Sequence, residues 1–170
     1  MLESGHNKEL TLEIAAWACR DRRRFAQVVD FMTGGDAKLA ARAAWVASYC
    51  VDAHPAWLAA HLPRLLDRVE QTGTHPAVLR NTFRMLQTAP ISGELEGRVL
   101  SMALAALGGA VPVAVKAFSM TVIKRLAADH PDILAEVELL IAEQSPGASP
   151  AFHARARREF GKRKSRFLLE

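Results

Sequence analysis

Aromatic residues are scarce in this chain, at 6% of 170 residues with a single tyrosine. Runs of β-branched residues are scarce as well, while alanine and leucine are abundant. That bias favours helix and sets a sheet-based fold aside. Cysteine is nearly absent. Cys19 and Cys50 are the only two, both lie in apolar helical patterns, and no Cys-x-x-Cys occurs. A disulfide framework is thereby excluded. Each thiol reads as a small buried hydrophobe of a reduced, cytoplasmic protein. Long hydrophobic runs are missing too. The longest uncharged stretch, Val99 to Val115, contains Gly108, Gly109 and Pro112 and falls short of the roughly 20 residues a spanning helix needs. Met1 to Leu10 carries Glu3, Lys8 and Glu9 with no apolar signal core. No membrane partner is expected. The remaining composition, 50% hydrophobic and 24% charged, excludes disorder over most of the chain.

The formal charge of +4 is unevenly placed. Residues 151–170 hold Arg155, Arg157, Arg158, Lys162, Arg163, Lys164 and Arg166 against Glu159 and Glu170, a net of +5. Residues 1–150 carry a net of −1. A near-neutral array over 1–150 followed by a basic helix or tail over 151–170, packed on it or extending from it, is the expected organisation.

An internal repeat organises the first part. His54-Pro55 returns as His130-Pro131, with Pro90 between them. Arg42, Arg80 and Lys116 each follow an aliphatic residue, at spacings of 38 and 36. Gly34-Gly35, Gly73 and Gly108-Gly109 each precede one of these segments. The three markers share a period of about 37 residues, a length that suits a helix–turn–helix unit. Apolar spacing supports two helices per unit. Leu39, Val46, Ala47, Cys50 and Val51 share one face, and Leu58, Leu62, Leu65, Leu66 and Val69 share the next. The same i, i+3, i+4, i+7 pattern recurs in the third and fourth units. The first unit is less regular, as a terminal repeat should be. Pro55 and Pro131 are placed to open second helices and Pro76 a first helix. Glycines are placed to close helices by adopting a left-handed conformation. Gln144 to Pro150 reads as a loop, with a final helix from Ala151.

These segments resemble the HEAT-repeat family of α-solenoids. Val113-Ala114-Val115-Lys116-Ala117-Phe118 is similar to the start of a HEAT first helix. Pro76-Ala77-Val78-Leu79-Arg80 and Leu39-Ala40-Ala41-Arg42-Ala43-Ala44 resemble the same position, and Asp52 and Asp129 match the acidic turn position. The whole chain also resembles a small bacterial group of HEAT-like proteins and, more distantly, the HEAT-like DNA alkylation-repair glycosylases. The resemblance implies an all-α superhelix of about four helical hairpins plus a C-terminal helix.

Chemistry-bearing constellations are few. His54, His75 and His130 precede proline as helix boundaries, and no His-x-x-x-His or Glu-x-x-His pair shares a helix, so no metal site is expected. There is no Gly-x-Ser-x-Gly elbow and no phosphate-cradling glycine loop, so neither a catalytic residue nor a cofactor is assigned. The carboxylates Glu94/Glu96 and Glu136/Glu138 stand two apart, point away from each other and read as solvated faces. Arg42, Arg80 and Lys116 are expected to pair with carboxylates or carbonyls of neighbouring units. Asp52, Trp45 and Trp57 form the one cluster that a glycosylase-like site could draw on. Trp17, Trp45 and Trp57 are expected to be core or inter-helix anchors.

The resemblance places the second helices on a concave face. There Arg22, Arg23 and Arg24 come first, then Arg64 and Arg68, then Glu94 and Arg98, and last Glu138 among further acids. The sign drifts from basic to acidic, whereas a nucleic-acid groove wants one sign throughout. A non-enzymatic protein-interaction module, with a protein or peptide partner or a second copy, is the first reading. The alternative is nucleic-acid binding related to alkylation repair, through Arg155, Arg157, Arg158, Lys162, Arg163, Lys164 and Arg166.

Overall fold

The computed structural model describes residues 8–161, and all the regular structure in them is helical. In chain order the helices are α1 (Lys8–Ala18), α2 (Arg22–Thr33), α3 (Ala37–Ala53), α4 (Leu62–Glu70), α5 (Pro76–Leu86), α6 (Gly93–Gly108), α7 (Val113–Leu126), α8 (Pro131–Gln144) and α9 (Pro150–Phe160). A 3-10 helix, Pro55–His61, leads into α4. The expected hairpins are α1/α2, α3/α4, α5/α6 and α7/α8, but between helices adjacent in the chain the closest packing joins α2 to α3 and α6 to α7. The first helices α1, α3, α5 and α7 pack each on the next, and α9 continues that row by packing on α7. The whole is an all-α helical-repeat superhelix.

The caps follow from local chemistry. Asp21 accepts from the Arg23 N–H at 2.8 Å and Asp36 from the Leu39 N–H at 2.9 Å, which satisfies donors left open at the starts of α2 and α3. Pro76, Pro131 and Pro150 occupy first helical positions, where a missing N–H costs nothing. In the second hairpin the expected continuous helix from Pro55 is divided instead. Pro63 lacks an N–H and cannot lie in a helix interior, so α4 begins afresh beside it at Leu62. The glycine mechanism also needs correction. Gly109, which ends α6, has an extended backbone with φ of −86°. It must be glycine because a Cβ there would sit 2.8 Å from the Ala105 carbonyl oxygen. Of the marker glycines only Gly73, at φ +82°, uses the left-handed region.

The core runs through the array. Ala40, Ala43, Ala44 and Ala47 are fully buried on α3, and such small side chains let α1, α2 and α5 approach its backbone closely. Phe25, Leu58, Leu65, Phe83, Leu107 and Met120 fill the wider spaces between helices. Four buried polar side chains are satisfied within their own helices, whereas Nε and Nη2 of Arg125 are buried without a partner among the described residues. Ser48, Asn81, Thr82 and Ser119 each donate to a carbonyl three or four residues back, at 2.8 to 2.9 Å. Trp17 departs from expectation. Ile14, Ala15 and Ala18 take the buried face of α1, and Trp17 falls outside it at 45% exposure.

Candidate interaction surface

The face carrying α2, α4, α6 and α8 begins basic. Arg22 and Arg23 open α2, are exposed, and have no side-chain partner among the described residues. Arg24 is half-buried. Its guanidinium lies 4.7 Å from the centre of the Trp17 ring, and Nη1 donates to the Trp17 carbonyl at 3.2 Å. The exposed tryptophan is therefore partly covered by a cation–π contact.

The middle of the face is neutralised from within. Arg64 of α4 reaches back one repeat to Asp30 of α2 at 2.6 Å and to Thr33 Oγ1 at 2.6 Å. Arg98 of α6 reaches back in the same way to Asp67 Oδ1 at 2.7 Å and Glu70 Oε2 at 2.6 Å on α4. Asp67 and Glu70 are three residues apart, hence on one side of the helix, so a single guanidinium engages both. Hydrogen bonding from Arg98 holds the Glu70 carboxyl below the ordinary carboxylate range, and the two acids push the Arg98 pKa up in return. Arg68 turns to its own helix end, donating to Thr74 Oγ1 at 2.8 Å and Gln71 Oε1 at 3.3 Å. His61, at the end of the 3-10 helix, meets the edge of Phe25 at 5.6 Å. Burial, and next the Arg64 cation, lower its pKa, against the opposing pull of Asp30.

The far end is acidic. Glu94 is exposed in the first turn of α6. Asp132, Glu136, Glu138 and Glu143 are exposed on α8 without side-chain partners among the described residues, and Leu139 stands among them at 67% exposure. The drift in sign along the sequence thus becomes two charged ends separated by a paired middle.

The other candidate cations serve the fold. Lys116 donates to Gln144 Oε1 at 2.5 Å, and Gln144 donates to the Leu107 carbonyl at 3.0 Å, which joins α7, α8 and α6. Lys116 thus bonds an amide of its own hairpin, where a carboxylate or carbonyl of a neighbouring unit was expected. Arg42 is half-buried and Arg80 exposed. Asp52 forms an ion pair with Arg84 of α5. Trp57 stacks on His54 with ring centres 4.2 Å apart, and Trp45 lies against Tyr49 at 6.4 Å. Each member of the glycosylase-like trio is engaged in a separate contact. On α9, Arg155 donates to Gln87 Oε1 at 2.6 Å and Thr121 Oγ1 at 2.5 Å, and lies over the Phe118 ring at 5.6 Å. Glu159 accepts from Thr121 at 2.7 Å and from Arg158 at 3.0 Å. Burial lowers the Arg155 pKa. Arg155 is thus a docking residue, while Arg157 and Arg158 are exposed. Lys162, Arg163, Lys164 and Arg166 lie outside the described residues.

Sequence reasoning missed one pair. Cys19, just past α1, and Cys50, on α3, have their sulfurs 2.8 Å apart. The visible signal was that each falls on an apolar pattern in adjacent units. Among the described residues no group of three or more His, Cys, Asp or Glu gathers to hold a metal ion, and no helix is long and apolar enough to cross a membrane.

The stacked helices form an all-α repeat superhelix, and the family model for the HEAT repeat domain matches residues 1–163. The chain belongs to the HEAT-repeat family. Searches of curated proteins and of solved structures return no match. HEAT repeats generally mediate protein interactions.

Proposed function

We propose that this HEAT array is a non-enzymatic scaffold or adaptor module that takes a protein partner on its second-helix face. One observation carries the reading. The charges in the middle of that face are neutralised by Asp30–Arg64 and by Asp67 and Glu70 with Arg98, while Arg22 and Arg23 at one end and Glu136 and Glu138 at the other are not. Unpaired exposed charges of opposite sign orient a partner of opposite polarity and speed its encounter. Capture from the source cell with the wild-type chain, with Arg22→Glu/Arg23→Glu and with Glu136→Lys/Glu138→Lys tests it. A partner retained by the wild type and lost from either variant supports the module. Equal retention by all three overturns the assigned face.

A second copy of the chain has the required polarity, because α8 presents acids around the exposed Leu139 and α2 presents Arg22 and Arg23 in its first turn. Contact between two different faces is head-to-tail. Each charge-reversed variant alone would then sediment as a monomer, and an equimolar mixture of the two would associate again.

The nucleic-acid reading draws on fewer cations than the sequence offers, since Arg155 is bonded to Gln87 and Thr121. A salt series with single- and double-stranded DNA and RNA decides it. Steeply salt-dependent binding that residues 151–170 are needed for would favour that reading.

A further inference from the structure

The chain has two thiols, and the fold brings them together. Cys19 lies in the turn between α1 and α2 and is half-buried, whereas Cys50 is wholly buried on the inner face of α3. Their sulfurs are 2.8 Å apart, so closure to a bonded pair needs a movement of about 0.8 Å. The Cys19 S–H points at the Cys50 sulfur, and Cys50 faces the Ala15 carbonyl at 3.8 Å. Burial, and then the neighbouring thiol, push the Cys50 pKa up, which disfavours its ionisation ahead of a reaction at Cys19. Cys19 is therefore the point of entry. It is flanked by Arg20, Arg22 and Arg23, all exposed, against the single carboxylate of Asp21, and this net positive charge draws an anionic reagent to the turn.

We infer that Cys19 and Cys50 form a dithiol site that reacts with an anionic small-molecule disulfide, of the glutathione disulfide class, and closes to an intramolecular disulfide. In the first step the Cys19 thiolate attacks one sulfur of the reagent. A Cys19–reagent bond forms, the reagent's S–S bond breaks, and one reagent thiolate leaves with the proton that Cys19 gave up. In the second step Cys50, on losing its proton, attacks the Cys19 sulfur. The Cys19–Cys50 bond forms and the second reagent thiolate leaves with that proton. Two protein thiols are oxidised and one disulfide is reduced to two thiols, so atoms and electrons balance. The new bond ties the α1–α2 turn to α3 across a loop that contains all of α2. It pins Arg22 and Arg23, the basic end of the second-helix face. The inference stands on the thiol geometry and does not need the interaction reading.

The test uses the reduced full chain, incubated with glutathione disulfide and weighed intact. The wild type is expected to lose two hydrogens in mass, to show no free thiol after denaturation, to remain a single chain, and to revert with dithiothreitol. Cys50→Ala should stop with one glutathionyl group attached, and Cys19→Ala should stay unmodified over the same time. A wild type that ends as a stable mixed disulfide, stays reduced, or links into dimers overturns the inference, and this holds even where a cysteine variant fails to fold. Arg22→Glu/Arg23→Glu should slow the reaction several-fold with glutathione disulfide and leave it unchanged with an uncharged disulfide. Equal rates with both reagents would overturn the anionic preference.

Discussion

The two rows of helices use one device to opposite ends. In both, an arginine reaches back about one repeat to its predecessor. Along the first helices two of these arginines are sheltered and bond uncharged acceptors: Arg125 donates to the Ala89 carbonyl at 2.8 Å, and Arg155 donates to Thr121 and Gln87. Arg84 with Asp52 is the exception, as open as Arg98 with Glu70. Along the second helices Arg64 and Arg98 meet carboxylates in the open, with Asp30 and Asp67 about three-fifths exposed. A bond to an uncharged acceptor in a half-buried place is costly to leave unmade. An exposed ion pair contributes little and chiefly cancels charge. The first row is therefore the spine, and the second is a display face whose charge is edited by pairing.

The strongest challenge to that contrast is a cavity in the spine. Phe83 on α5 is 1% exposed, and α5 packs against both α3 and α7. Phe83→Ala should cost about 3–5 kcal/mol in denaturant unfolding. A loss under about 1 kcal/mol would mean that α5 is not a central member of the spine. Next in size is Arg155→Ala. It removes donors to Gln87 and Thr121 and leaves Glu159 with one fewer cation. A loss of about 1–3 kcal/mol is expected, with raised hydrogen exchange confined to α9. A smaller loss would place the α9 contact in the same class as the exposed pairs. Arg98→Ala should cost at most about 1 kcal/mol, and that cost should shrink as salt is added. Its larger effect should be on binding, because Asp67 and Glu70 would then extend the acidic end into the middle of the face.

The fold was legible because its punctuation is local. Pro76 and Pro131 open helices where their missing N–H does no harm, and the apolar spacing around Leu65 or Val122 is a one-dimensional signal. What was not legible depends on which faces meet. Nothing local to Arg98 says that Asp67 and Glu70 will lie beneath it. Arg64 and Arg98 belong to the charge gradient visible in the sequence, yet both are paired, and only the ends of that gradient stay open. Trp17 was read as an anchor from its residue type, but its angular position on α1 turns it outward. Cys19 and Cys50 each looked like an isolated hydrophobe. Their meeting depends on the turn after α1 folding back onto α3, which no pattern within either helix encodes.

The smallest expected effect tests whether the display face is electrically quiet at its centre. His61 sits where the two rows meet, against Phe25 of α2, with the Arg64 cation and the Asp30 carboxylate as its charged neighbours. Its pKa is lowered from 6.5 in the fold, by burial first and by Arg64 second. The folded chain therefore resists protonation that the unfolded chain accepts. As pH falls through about 6.5 the unfolded state takes up the proton first, and stability drops until the folded pKa is also passed. Above about pH 7 the effect vanishes, because His61 is neutral in both states. The thermal midpoint should thus decline modestly from pH 7 to pH 5.5, and His61→Gln should flatten part of that decline. Arg64→Gln should flatten it less, since burial outranks the cation as the cause. If Arg64→Gln removed as much of the slope as His61→Gln, the Asp30–Arg64 pair would not be neutralising the centre of the face, and the contrast between paired middle and open ends would fail there.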